Sequence, residues 1–400
     1  MATKAVEVIG QRWGFGASCG ILGWVVDAYS FFVPIFLLDQ LAQHFSVSKS
    51  AVIATIAVTL ATRPLGALLF GYLSDHGGRR YPLLLCVLYF SLITAATPFT
   101  SSFRIFVALR ALYGIGMGGY WGVGAALVME SCPVRWRGLF SGILQAGYSI
   151  GYLLAALAAS IMEPKLGWQS MFLAALVVAG AIVLLLLPAV EPAPSNASDG
   201  HQQNLWIIVG LHWRSFIFLT ILMTVITCLS HGTQDLYPDF LKVAHGYGSA
   251  QVSGMVVLYN IGAGLGAILA GKLSDRIGRK NSIYLAIGIC TLALPAWAFG
   301  VSFWTLAIGA FIMQAGVQGA FGVVPAYLNE LAPPRARSLF SGLVYQLGML
   351  LGAPCVIVEY AFSHQLGYAR ALATFEGCVI VVLGLVLIGA KENHNRSLAQ

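Results

Sequence analysis

Gly71-Tyr-Leu-Ser-Asp75-His-Gly-Gly-Arg79-Arg80 returns 200 residues later as Gly271-Lys-Leu-Ser-Asp275-Arg-Ile-Gly-Arg279-Lys280. In the same register, Glu130-Ser-Cys-Pro-Val-Arg135-Trp-Arg137-Gly-Leu-Phe-Ser-Gly matches Glu330-Leu-Ala-Pro-Pro-Arg335-Ala-Arg337-Ser-Leu-Phe-Ser-Gly. Two alignments at one offset mark an internal duplication, the feature that any fold has to accommodate first. Each polar segment lies between long apolar runs, so the chain reads as two equivalent halves in the same orientation.

Those runs dominate the composition. Of 400 residues, 58% are hydrophobic and 9% charged, against roughly 25% charged in an average soluble domain. A water-soluble globule of this composition would aggregate, so lipid is the solvent. A bilayer core about 30 Å thick takes ~20 apolar residues per helix. On that template helices fall near 18–38, 52–73, 80–98, 103–130, 138–160, 167–188, 215–238, 251–273, 281–300, 302–330, 338–362 and 368–390. The expected fold is all-α and membrane-integral, with twelve transmembrane helices in two six-helix bundles, 1–188 and 215–400. The joining segment 189–214 contains EPAPSNASDGHQQN and reads as a flexible linker.

Lys and Arg in alternate loops give the orientation. One side carries fifteen of them and the other five, with Arg63 and Arg110 inside helices. Both termini are therefore expected in the cytoplasm, and the sequons Asn196-Ala-Ser198 and Asn395-Arg-Ser397 fall on that side, unglycosylated. The polar N-terminus lacks a small-residue cleavage site, so the first helix is expected to do the targeting. The net charge of +7 comes from short loop clusters with no basic face, which argues against nucleic acid as a partner. The seven cysteines stand singly, without zinc spacing. No metal-ligand set, nucleophile elbow or phosphate loop suggests an enzyme or a cofactor.

The repeated loops carry charge of both signs. Asp75 and Asp275 end a helix beside Arg79, Arg80 and Arg279, while Glu130 and Glu330 precede Arg137 and Arg337. Opposed charges at one rim of two halves form a gate, here a cytoplasmic one. Each pair, if partly exposed, contributes about 1 kcal/mol, enough in sum to bias a two-state equilibrium without freezing it.

GYLSDHGGRR and GKLSDRIGRK resemble the loop signature of the major facilitator superfamily, and the likeness covers essentially the whole chain. It implies two parallel bundles around a central site near the midplane that opens to each side in turn.

Ionisable residues at membrane depth are functional candidates by default: Asp27, Arg63, Arg110, His231 and Asp235. In Arg110-Ala-Leu-Tyr113-Gly-Ile-Gly-Met-Gly-Gly the glycines allow close backbone approach. The Arg110 guanidinium can hold a carboxylate through two parallel hydrogen bonds, which points to an anionic substrate; the alternative is that it pairs with an acid such as Asp27. In Thr227-Cys-Leu-Ser230-His231-Gly-Thr233-Gln234-Asp235-Leu-Tyr-Pro238-Asp239, His231 and Asp235 share one helix face, extended by Thr227, Gln234 and Pro238. Pro238 and Gly232 weaken this helix locally. Arg63, Glu359 and Glu376 are weaker candidates, each expected near a helix end or bracing another charge.

SHGTQDLYPDF is similar to the helix-7 signature of the lactate–proton permeases within the sialate:proton symporter family. The Arg110 run, Arg137-Gly-Leu-Phe-Ser-Gly-Ile-Leu-Gln145-Ala-Gly-Tyr148 and Asp27-Ala-Tyr resemble that family too. The resemblance implies that Ser230, His231, Thr233, Gln234 and Asp235 act in transport and that Arg110, with Tyr113 in its run, anchors the carboxylate. The chain departs from the signature at Thr227 (Asn there), Asp239 (Thr there) and Ser30, where a second acid is usual.

A small monocarboxylic acid with a pKa near 4 is an anion at neutral pH, and an inside-negative potential opposes its entry by about 2.3 kcal/mol per 100 mV. One accompanying proton removes that cost, so the proton is the expected coupling ion, carried by Asp27 or Asp235 and coupled through His231. Proton symport of a lactate- or pyruvate-like monocarboxylate is the leading expectation. Sialic acid or a dicarboxylate is the nearest alternative, because Gln145, Asn260, Gln314, Gln318 and Gln346 could contact a larger polar acid. A drug–proton antiporter fits poorly with Arg110 beside a His-Gln-Asp stripe. A nutrient sensor of transporter fold would need more surface than these short tails give. The expected setting is the plasma membrane, a bacterial inner membrane, with the chain acting as a monomer.

Overall fold

A computed structural model describes residues 2–186 and 205–392. No strand occurs among the described residues. Among the described residues eleven helices are long and apolar enough to cross a membrane: α1 Gly16–Phe36, α2 Lys49–Gly77, α3 Arg80–Phe99, α4 Phe103–Ser131, α5 Val134–Ile161, α7 Trp213–Val243, α8 Ser249–Ile277, α9 Arg279–Phe299, α10 Phe303–Leu331, α11 Pro334–Leu366 and α12 Tyr368–Ile388. The shorter apolar helix α6, Gln169–Leu186, takes the twelfth place. A helix occurs at each of the twelve expected positions, eleven of them of full spanning length, and the sixth is described only to residue 186. The helices bearing the duplicated loops run several residues longer than the apolar template, because their polar ends stay helical where the two halves meet.

Two helices are interrupted. The helical backbone of α7 stops at Gln234 and resumes at Tyr237, with Pro238 in the first turn of the second piece, as Gly232 and Pro238 suggested. The other break, at Ala353–Pro354 in α11, was not anticipated from the sequence; proline has no amide hydrogen to continue the ladder. The expected linker also needs correction at its end. Residues 187–204, which hold EPAPSNASDGHQQN, lie outside the described residues, but Leu205–Leu211 is helical. Its Leu205 and Ile208 are buried against Ala67, Ala336, Leu339 and Leu343, since apolar residues three apart make one sticky face.

The outer surface is apolar where lipid would lie: Leu65, Leu69, Leu92, Leu269 and Leu292 are all exposed. Inside each half, glycines let helices touch backbone to backbone. A Cβ on Gly66 would stand 1.8 Å from the carbonyl oxygen of Ile115, and one on Gly266 2.0 Å from that of Ala315. The duplication thus extends from sequence to packing, with α2 on α4 repeated as α8 on α10. The halves meet along α2–α11, α5–α8, α4–α11 and α5–α10. At the end bearing the duplicated loops the approach is closest: a Cβ on Gly138 would lie 2.3 Å from the Gly271 oxygen, and one on Gly71 2.7 Å from Cα of Leu339.

Candidate functional site

Both duplicated aspartates cap a helix of the other half. Asp75 accepts the amides of Ser338 (3.0 Å) and Leu339 (2.8 Å) at the start of α11. Asp275 accepts those of Gly138 (2.7 Å) and Leu139 (3.0 Å) at the start of α5. Free amides and the positive end of the helix dipole make each of these a fitting anion site.

Arginines tie the caps together. Arg79 donates to Asp75 and to both oxygens of Glu130 (3.1 and 3.0 Å), and Arg337 reaches Glu130 from the other half at 2.7 Å. Arg279 likewise holds Asp275 at 2.9 Å and Glu330 at 2.8 and 3.1 Å, and Arg137 reaches Glu330 at 3.4 Å. The Arg80 guanidinium lies over the Tyr81 ring at 5.6 Å. Burial opposes the charge of Arg79, but the carboxylates of Asp75 and Glu130 outweigh it and hold the guanidinium above its ordinary pKa. The charged residues expected to oppose one another at this rim are therefore paired between the two halves. The pairs at Glu330 are buried rather than partly exposed, the Arg137 and Glu330 side chains being 2% and 0% accessible, whereas Glu130 keeps 14%. The two halves cover them, so removing one partner strands a charge and costs about 3–5 kcal/mol rather than about 1.

The second cluster lies deeper. Arg63 stands at the middle of α2, which corrects its expected place near a helix end. It is buried, with Nε unpartnered. Its charge acts on Asp27 of α1, Tyr148 of α5, His231 of α7 and Tyr345 of α11. Arg63 is thus a cation at mid-depth that groups of both halves face. Tyr345 also feels Gln145, its counterpart in the repeat, and stacks on Trp121 with centroids 3.6 Å apart.

Arg110 is buried two turns into α4, toward the end of the bundle away from the gate. Its guanidinium lies over the Tyr113 ring at 4.8 Å, and Nη2 donates to Thr97 Oγ1 at 3.3 Å. It forms no ion pair with Asp27. The Tyr113 hydroxyl donates to the Asp27 carboxylate (2.9 Å) and carbonyl (2.6 Å), leaving Asp27 Oδ2 unpartnered at zero exposure. Tyr113 is spent on Asp27 and is not free to take a substrate oxygen.

On α7, His231 Nδ1 and Asp235 Oδ2 are 2.9 Å apart, with side chains 23% and 40% accessible. Gln234 donates to Ser230 Oγ (3.3 Å) and to Gln314 Oε1 (2.9 Å) on α10, while Gln314 donates to Thr233 Oγ1 (2.9 Å). Ser230, His231 and Asp235 are thus the members of the stripe that stay available, whereas Thr233 is turned into the α7–α10 contact. Thr227 bonds the Met223 carbonyl, and Asp239 accepts from the Tyr368 hydroxyl, so both departures from the family signature have local partners. Gln346 donates to the Gly118 carbonyl across the halves (3.2 Å), and Asn260 bonds within its own helix. Among the described residues no His, Cys, Asp and Glu side chains converge as a metal site requires.

A sequence model described as "Major Facilitator Superfamily" matches residues 19–234, and one described as "Sugar (and other) transporter" matches residues 210–397. The carboxylic acid transporter protein homolog of Saccharomyces cerevisiae is 27% identical over 96% of this chain and 69% of its own. A probable 4-methylmuconolactone transporter of Cupriavidus pinatubonensis is 27% identical, covering 92% and 88%. The niacin transporter NiaP of Acinetobacter baylyi is 24% identical, covering 94% and 93%. Among solved structures, the proton:xylose symporter XylE bound to 6-bromo-6-deoxy-D-glucose superposes with a TM-score of 0.78 at 17% identity, over 98% of each chain, a likeness of fold.

Proposed function

Because this chain belongs to the major facilitator superfamily, we propose that it carries a small organic monocarboxylate, lactate- or pyruvate-like, together with a proton by alternating access. The observation that carries this reading is Arg63: a buried guanidinium at mid-helix, with one nitrogen unpartnered, facing both halves and the His231–Asp235 pair. A desolvated guanidinium with donors to spare is a carboxylate receptor. Arg110 also has an unpartnered Nε, but its guanidinium is stacked on Tyr113 and bonded to Thr97 and stands near a helix end, so we assign the anchoring role expected of it to the mid-helix Arg63. The cargoes named for the relatives, a carboxylic acid and niacin among them, support an organic-acid cargo.

The coupling proton sits on Asp27 or Asp235. Asp27 has an unpartnered buried oxygen, and Asp235 is accessible and held to His231. When the anion arrives at Arg63, its negative charge favours proton binding nearby, so the loaded site is close to neutral and crosses against little field. The sealed end faces the cytoplasm by the positive-inside rule, so the closed gate and the accessible Asp235 correspond to a site open to the outside.

A second cargo class is favoured by the rings. Tyr148 and Tyr345 face Arg63, and Tyr345 is stacked on Trp121, so a flat conjugated acid would find aromatic rings beside the guanidinium. Uptake of labelled L-lactate and of labelled nicotinate by proteoliposomes, each at a one-unit inward proton gradient, separates the two. Faster lactate uptake supports the first cargo and faster nicotinate uptake the second. Equal, gradient-independent leakage of both would overturn carboxylate symport.

A further inference from the structure

Behind α7, on the side facing α11 and α12, lie two carboxyl groups that the proposed mechanism leaves unused. Glu359 and Glu376 both have zero exposure, and none of their four oxygens has a hydrogen-bond partner. The piece of α11 that follows the break at Pro354, Cys355–Leu366, buries only Glu359 and Ser363. Its inward face is therefore polar while its outward face carries exposed Ile357 and Val358. Packing alone would have placed an apolar residue inward.

Glu376 is pressed against α7 itself. A Cβ on Gly232 would lie 2.0 Å from Glu376 Oε1, so only glycine lets this carboxyl reach the backbone between His231 and Thr233. The titratable groups facing Glu376 are Glu359, Cys228 of α7 and Cys290 of α9. Those facing Glu359 are Asp235 of α7, Cys355 of its own helix, and Glu376. No cation pairs with either carboxyl among the described residues, and neither weak thiols nor further acids can offset a buried negative charge. An unpaired carboxylate buried in this way costs far more than a neutral carboxyl.

Resting on the proton-coupled reading above, we propose that Glu359 and Glu376 form a closed proton chamber, a carboxyl pair that exchanges one proton with the His231–Asp235 pair as the transporter switches sides. In the exchange an O–H bond of Glu359 breaks as one forms on Asp235 or on the His231 ring. Negative charge passes to Glu359, and no other reactant is needed. Asp235 meets water while the chamber does not, so the pair shelters the proton while the site is closed to both sides. Glu376, against Gly232, links that protonation to the α7 backbone.

The test has two arms. In the purified full-length protein at neutral pH, infrared spectroscopy should show the carbonyl band of protonated carboxyl groups, stepping down in Glu359→Gln and again in Glu359→Gln/Glu376→Gln. A wild type without the band, or a double variant with the band unchanged, overturns the chamber. This arm needs no substrate, so it decides the proposal even if the protein transports no carboxylate. In proteoliposomes with L-lactate as probe, a one-unit pH gradient should drive about tenfold accumulation in the wild type. The double variant should fall to about onefold while exchanging labelled for unlabelled lactate within about twofold of wild type. Full gradient-driven accumulation in the double variant overturns the proposal, as does accumulation that follows a sodium gradient at equal pH. A wild type that neither exchanges nor accumulates lactate refutes the lactate reading instead, and the infrared arm still stands.

Discussion

Asp75 accepts the amide hydrogen of Leu339 at 2.8 Å, and this contact joins the last turn of α2 in one half to a helix start of the other. Because Asp275 repeats it on Leu139 at 3.0 Å, the gate is a pair of reciprocal helix caps. A charge at a helix N-terminus contributes about 0.3–1 kcal/mol when exposed and up to about 2 when partly buried. Such caps hold a state without trapping it.

Replacing Asp75 and Asp275 together by Asn should keep the fold and shift the halves toward opening at the gate end. Spin labels at Arg135 and Lys272, exposed on opposite halves at that end, read this as a long-distance population in a cysteine-free background. A distance distribution identical to that of the parent would show that the caps do not hold the gate.

Gly138→Ala places a methyl where the Gly271 carbonyl oxygen lies 2.3 Å away. Overpacking of this kind costs about 1–3 kcal/mol, and here the cost falls only on the gate-closed state. The same spin-label pair should report opening in this variant, whereas Gly180→Ala, at a site with nothing within 4 Å, should leave the distances unchanged.

Glu330→Gln and Glu130→Gln remove equivalent acids of the repeat, but they should not cost the same. The Glu330 side chain is inaccessible and that of Glu130 is 14% accessible, so water can partly solvate the arginines left by the second change and not those left by the first. Thermal unfolding of the purified protein should show the larger drop for Glu330→Gln, of the order of 3–5 kcal/mol.

The fold was legible because its two determinants are local. Apolar runs of bilayer length and an exact sequence offset need no knowledge of distant contacts, so the span count and the duplicated halves could be read directly. The gate residues were legible as types, yet their partners were not. That Asp75 caps Leu339, 264 positions away, depends on how two bundles dock. The signal was present in the paired helix starts at Arg137 and Arg337, each following a Pro-containing loop. The polar stripe on α7 was legible because it interrupts an otherwise apolar helix, and the structure pairs its members with one another and with Gln314. The sequence alone does not separate Arg63 from Arg110, since both are lone arginines in apolar runs and only packing reveals that Tyr113 and Thr97 contact the second. The break at Pro354 and the inward turn of Glu359 were hidden for the same reason.

Arg63→Ala should weaken carboxylate binding by about 10- to 100-fold, the loss of a charge-assisted bidentate pair worth about 1.5–3 kcal/mol. Arg63→Lys should recover only part, because an ammonium cannot match the planar fork. Arg110→Ala should lower the transport rate more than the affinity, since it removes the ring contact behind the Tyr113–Asp27 pair. Isothermal titration with L-lactate beside uptake kinetics separates these outcomes; equal affinity losses in both would place the anion between the two arginines.

The most direct test of proton-coupled carboxylate transport is the external pH of lightly buffered, de-energised cells expressing the protein, followed after a pulse of L-lactate. Wild-type cells should alkalinise the medium in step with labelled lactate entry, and cells carrying Arg63→Ala or Asp235→Asn should not. Lactate entry without any pH change, or no entry by protein shown to be in the membrane, would contradict the account.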